Sequence, residues 1–204
     1  MKTSFIFAVL TAPLATVAFA DPFTVHDTAT NLFDRLPAVE VSTDLNDACG
    51  FGRNSNDHIG YCATKNTIFI SETFAVRAEA SYEMAHVLGH AIQVRHGVAD
   101  VALNAIRTRR NEEDALRGMV TRQVDCVAGV LMASAGLAPF DIAALDAEPF
   151  TKSHWGRSPI NSGPRVSIGL AARAQWYAIG YAANDFAACS VGEMSSQLIV
   201  DGLR

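Results

Sequence analysis

Apolar residues recur every three or four positions from Phe74 through Ala78, Ala85 and Leu88 to Ile92, which commits the middle of the chain to a helix with one buried side. The spacing predicts an end near His96-Gly97, where Gly97 suits a C-cap. A second helix is predicted from Asn111, a capping side chain followed by Glu112, Glu113 and Asp114, acids that favour the positive end of the helix dipole. It runs through Val124, Val127 and Leu131 to a stop at Gly136. A short helix is expected from Pro139 and a last long one over 166–183. Before Phe74 the signals change to strands. Val39-Glu40-Val41 alternates, Thr67–Ser71 sets Ile68 and Ile70 on one face, and Lys65-Asn66 offers a hairpin turn between Tyr61 and Ile70. The Gly- and Asn-rich residues 49–57 read as loop. The expected class is α+β, helix-dominated, with a small antiparallel sheet.

Composition narrows what such a chain can be. Of 204 residues, 50% are hydrophobic and only 18% charged, with a net charge of −5. That excludes a disordered tail, a collagen-like repeat and a basic nucleic-acid binder. Residues 1–20 hold a single charge, Lys2, then an apolar run ending Ala18-Phe19-Ala20, the small-x-small pattern of a signal-peptidase site. The other reading is an uncleaved anchor, but Pro13 and the short apolar run argue against it. The expected mature protein is one domain over residues 21–204, periplasmic or secreted, with no membrane contact after cleavage.

Export decides how the four cysteines are read. Cys49, Cys62, Cys126 and Cys189 allow three pairings in an oxidising compartment. Cys49 and Cys62 flank the Gly-rich loop, so a bridge across it is geometrically cheap; Cys126 would then join Cys189 and tie the C-terminal segment to a helix. Closing that longer loop removes roughly 3–4 kcal/mol of unfolded-state entropy. The alternative is buried free thiols. A four-cysteine zinc site is disfavoured because no C-x-x-C pair exists.

His86 and His90 stand at i and i+4 on the first long helix, so their rings project from one face about 6 Å apart. Two imidazoles so placed can share one zinc ion. Glu79, Glu83, His86, His90 and Gln93 equally read as the solvated stripe of an amphipathic helix.

The frame His86-Val-Leu-Gly-His90 followed by Gln93 resembles the H-E-x-G-H-x-x-Q signature of the bacterial neutral zinc metallopeptidase family, whose fold is zincin-like. Cys49-Gly50, Gly60-Tyr61-Cys62 and the Thr67–Ser71 strand resemble its C-G…F-Y-C-strand segment. Gln123-Val124-Asp125-Cys126-Val127-Ala128-Gly129-Val130 resembles its Q-A-D-C-x-A-G-V block. Arg173-Ala-Gln-Trp176-Tyr177-Ala-Ile-Gly180-Tyr181 is similar to its R-x-x-W-F-x-x-G-Y block, and Asn184-Asp185 with Cys189 to its closing G-D…C. The resemblance covers residues 49–190 and implies a zincin-like domain with His86 and His90 as metal ligands. It also implies that Asp125 accepts a hydrogen bond from a ligand histidine and fixes its tautomer.

Two departures fall on the chemistry. The family's general base follows the first histidine, and Val87 stands there; an isopropyl group accepts no proton, a loss worth about 10²–10⁴ in rate. The family's third ligand is a Glu four residues before the Asp of its D-C block, and Thr121 stands there. Glu83, one turn before His86, and His96, which completes a metzincin-like H-x-x-x-H-x-x-x-x-x-H spacing, are the substitutes to weigh. The metzincin geometry needs the chain to leave the helix three residues after His90, where Gln93 stands. Two histidines alone would bind zinc weakly or not at all. The sequence therefore points to an exported pseudo-peptidase that binds an extended peptide or envelope protein. The alternatives are an active zinc peptidase with relocated ligands and a purely structural disulfide-stapled domain. His26 and His58 read as solvated loop residues, and Arg107, Arg109 and Arg110 as a surface cluster.

Overall fold

The computed structural model describes residues 21–45, 58–151, 155–156 and 166–204; the expected signal peptide and the whole Gly-rich loop, Cys49 included, lie outside the described residues. Helix α1 spans Pro22–Leu32, capped by Asp21, whose carboxylate accepts from the Phe23 N–H at 3.0 Å. Proline at the first helical position carries no N–H to be orphaned there. Strands β1 (Ala38–Ser42), β2 (Ile59–Cys62) and β3 (Thr67–Ser71) follow, then α2 (Ala80–Arg95), α3 (Val98–Thr108) and α4 (Glu113–Ser134). The two-residue strand β4 (Trp155–Gly156), α5 (Leu170–Ala183) and the short α6 (Gln197–Val200) complete the order. The chain is α+β and helix-dominated, as its periodicities imply.

The sheet departs from expectation. Its order is β1-β3-β2-β4, and only the β2–β3 hairpin is antiparallel. β1 runs parallel to β3 and β4 parallel to β2. The topology dictates this: the chain leaves β1, returns as β2 on the far side of β3, and the hairpin then sends β3 back alongside β1. Helices differ too: the short one expected from Pro139 is only a three-residue 3-10 turn at Ile142–Ala144, and the last long one begins at Leu170, not at residue 166. Phe74 is buried from a turn, its N–H bonded to the Ser71 carbonyl at 3.0 Å, so α2 starts only at Ala80. Gly97, at φ 86°, ends α2 but leads straight into α3 instead of a loop.

Val25 and Ala29 of α1, the inner side chains of β2 and β3, Leu88 and Ile92 of α2, and Val127 and Leu131 of α4 share one core cluster. Each fully buried Leu or Ile contributes about 1.5–3 kcal/mol relative to exposure. Almost every residue of α2 from Ala80 to Gln93 is buried, so its polar stripe is interior, not solvated. Cys126 of α4 is bridged to Cys189 across 63 residues, the pairing expected, and the described cysteines include no free thiol. In the chain-entropy picture that cross-link stabilises by about 4 kcal/mol. Cys62 is also disulfide-bonded. Such bonds belong to a non-reducing compartment. Among the described residues, no helix is long and apolar enough to cross a membrane.

Candidate functional site

The site is built where α2, α4 and α5 meet. His86 has no exposed surface, and its Nδ1 lies 2.7 Å from Oδ1 of Asp125 on α4. An ionised carboxylate only accepts, so Nδ1 carries the proton of this contact. This is the orienting contact that the family resemblance implies for Asp125. The carboxylate does more than orient a histidine. It also accepts from the Tyr82 hydroxyl at 3.1 Å and from Arg173 Nη1 at 3.1 Å. Arg173 in turn donates through Nε to Glu148 at 2.9 Å, and the Ile168 N–H caps the same carboxylate at 2.8 Å. A chain of donors and acceptors thus runs from α2 to the loop before α5, almost wholly out of water.

The charges set the protonation states. Burial, with the negative field of Asp125, holds the Tyr82 phenol well above its ordinary value, so it remains a donor. Burial works against Arg173, but the fields of Asp125, Tyr82 and Glu148 prevail and keep it charged. For Glu148, burial is opposed by hydrogen bonds from Ser167, Ile168 and Arg173, and the net shift is downward.

The rings around His86 are closely arranged. Phe150 stacks on its face with centroids 3.8 Å apart, and the His90 ring stands edge-on at 5.1 Å. Tyr82 stacks on Phe140 at 5.4 Å and meets Tyr177 edge-on. Phe150 holds this place with φ 60°, a left-handed conformation costly for a bulky side chain. Tyr177 accepts the Phe140 N–H at 3.0 Å, and burial first, then Tyr181, push its phenol up to about 12. A raised phenol value means the stabilisation is complete below the unfolded-state value near 10 and is lost as pH rises through 10 to 12. Urea midpoints should therefore fall by about 2–3 kcal/mol of stability over that interval beyond the loss seen in Tyr177→Phe. At neutral pH the same variant should cost about 1 kcal/mol, because the Phe140 N–H loses its acceptor.

The substitutes at the missing carboxylates are built into the fold. Val87 is fully buried in the core cluster. The Thr121 hydroxyl donates to the Arg117 carbonyl one turn back, at 3.1 Å. His96 is not brought to the histidine pair. α2 continues unbroken through Gln93 to Arg95, which sets position 96 six residues, about 9 Å, along the axis from His90 and on another face. Its ring lies against Phe33 instead, at 5.3 Å. Gln93 bonds Gln123 at 2.9 Å, and Gln123 donates to the carbonyls of Cys189, Met194 and Ser195, which fastens the C-terminal segment. Glu83 is 9% exposed on the same helix. Among the described residues, no three His, Cys, Asp or Glu side chains converge as a metal-binding group. His86 and His90 are two donors, one short of the three protein ligands a catalytic zinc needs.

Tyr82, Glu148 and Phe150 are members that sequence reasoning missed. Tyr82 alone had a usable signal, one helical turn before His86. His26, expected to be solvated, bonds the Pro37 carbonyl at 2.8 Å, whereas His58 is exposed and stacks on Phe74. Arg109 is a surface residue paired with Glu112 and Glu193. No family model, curated protein or solved structure matches this chain.

Proposed function

We propose that this is an exported, zincin-like pseudo-peptidase of the neutral zinc metallopeptidase type, which binds an extended peptide or envelope protein without hydrolysing it. One observation carries the non-catalytic reading: both positions that should hold carboxylates are committed to structure, Val87 in the core and Thr121 bonded within its own helix. Zinc binding by His86 and His90 is weak or absent on this reading. The sheet supports the binding role. Ala38 donates to Asn66 and Ser42 accepts from Glu72, so alternate residues of β1 face β3. Val39 and Val41 therefore turn their main-chain groups to the outer edge, where a strand can add.

Metal content and peptide cleavage test the reading together. The purified mature protein should carry zinc well below one equivalent and release no product from a peptide library. Stoichiometric zinc lost in His86→Ala, with chelator-sensitive cleavage lost in His90→Ala, would overturn it in favour of an active peptidase with relocated ligands.

A further inference from the structure

A second site lies at the opposite end of α2, away from the histidine pair. A hollow of about 680 Å³ opens where α1, α2 and the C-terminal segment meet, walled by Asp34, Arg35, Arg95, His96, Asp201 and Gly202, with Leu198 and Leu203 as its apolar patches. The volume falls within the usual range for a small-molecule site. Its carboxylates already hold donors: Asp34 accepts from Arg204 at 2.7 Å and Asp201 from Gln197 at 2.7 Å. The cations differ. Arg95 donates through Nε to Asn66 Oδ1 at 2.7 Å and also meets the Tyr61 hydroxyl, so its fork is held in place at the wall of the hollow. The Arg35 guanidinium makes no hydrogen bond or ion pair to the described residues.

One residue arranges both arginines. While Asn66 Oδ1 orients Arg95, its amide Nδ2 donates to the carbonyls of Arg35 and Leu36, each at 3.3 Å. That grip holds Arg35 at φ 62°, a left-handed conformation that a non-glycine residue keeps only when its surroundings impose it. Beside them, His96 Nε2 is buried without a hydrogen-bond partner among the described residues. An orphaned buried nitrogen is destabilising, and such groups in native structures call for an explanation. The Gly202 backbone lies so close to the His96 ring that a Cβ there would come within 2.2 Å of Nδ1, so only glycine leaves room for the ring.

We propose that this hollow binds a small anionic molecule, a carboxylate or phosphate with a short apolar body, held by the guanidinium groups of Arg35 and Arg95 beside His96. Planar guanidinium forks match the oxygens of either anion. The apolar body lies against Leu198 and Leu203. The anion also answers the field at His96: burial first, then the charge of Arg35, lowers that imidazole's proton affinity, against the smaller opposing pull of Asp34. A bound negative charge offsets Arg35 and favours the imidazolium.

The full mature chain is titrated with inorganic phosphate, acetate and hexanoate, followed by calorimetry and by the His96 ring resonances. The expected result is saturable binding of phosphate or of a carboxylate with Kd below about 1 mM. The His96 titration midpoint should move upward on saturation. Phosphate alone saturating assigns a phosphate ligand; hexanoate binding more tightly than acetate assigns a carboxylate with an apolar body. Arg35→Gly removes the guanidinium at a backbone angle glycine accepts freely, and should weaken binding at least tenfold with the fold intact. Arg95→Gln is the second variant and should do the same. No saturation by any of the three anions, or an affinity in both variants equal to that of the parent protein, would overturn the proposal.

Discussion

Arg173→Met should lower unfolding stability by about 3–5 kcal/mol at pH 7, one of the two largest losses expected from a single substitution in this protein. Arg173 pairs with Asp125 at 3.1 Å and Glu148 at 2.9 Å, and its side chain is 1% exposed. Methionine fills much of the same volume, so the loss reports charge and hydrogen bonding more than a cavity. What it leaves behind decides the magnitude. Asp125 has no exposed surface and would lose the guanidinium while keeping the Tyr82 hydroxyl and the His86 ring as donors. Glu148 would keep the Ile168 N–H and the Ser167 hydroxyl but lose its cation. Urea unfolding measures the loss. A double-mutant cycle with Asp125→Asn should show coupling of about 0.5–3 kcal/mol, since the carboxylate that suffers most in the single variant is gone. The acid limb supplies a second readout. The Glu148 value is lowered in the folded state, so its stabilisation is present above the unfolded value near 4.5 and is lost as pH falls through the folded one. Arg173→Met should flatten that part of the profile. Independence of pH, together with a loss below 1 kcal/mol, would mean that the network is not a stabilising unit.

That network also marks where sequence reading succeeds and where it stops. The helix from Glu113, the β2–β3 hairpin around Lys65-Asn66 and the Cys126–Cys189 bridge rest on local signals: acids in the first helical turn, turn residues and parity in the cysteine count, although Asn111 lies within a 3-10 turn and does not cap the helix. α1 carries such a signal too, Asp21 before Pro22. The face of α2 is a different case. A helix with a polar stripe looks the same whether the stripe meets water or a neighbouring helix. Here Asp125, Arg173 and the Gln93–Gln123 pair make the interior polar, and periodicity carries no trace of that. The Arg173–Glu148 pair spans 25 residues and the His86–Asp125 pair 39. Contacts of that length follow from the tertiary arrangement, not from spacing. Phe150 shows the limit most plainly, because nothing in Glu148-Pro149-Phe150-Thr151 announces a left-handed phenylalanine stacked on a histidine.

Gly180→Ala should be the other severe substitution, costing about 4 kcal/mol or abolishing folding. α4 and α5 cross with their backbones almost in contact. A Cβ on Gly180 would stand 1.9 Å from the Cys126 carbonyl oxygen, and one on Gly129 would stand 2.1 Å from the Tyr177 carbonyl oxygen. Both obstacles are main chain, so no side-chain rotation relieves them, and the helices must part by more than 1 Å. Separation is resisted on one side by the disulfide, which joins Cys126 to Cys189 just beyond α5. On the other it would pull Arg173 away from Asp125 and open the packing around Tyr177. Overpacking usually costs about 1–3 kcal/mol where side chains can yield, and a backbone collision belongs above that range. Gly118→Ala on α4 is the matched control. There the nearest obstacle is the far end of a flexible side chain, Arg122 Nη1 at 2.8 Å, and Ile168 lies at an ordinary 3.7 Å. Swinging that guanidinium aside costs little, while replacing a helical glycine by alanine gains up to about 1 kcal/mol. Thermal unfolding should therefore show Gly118→Ala at or above the parent midpoint and Gly180→Ala far below it. Equal midpoints for the two variants would mean that the close crossing of α4 and α5 is not what holds the histidine helix against its partners.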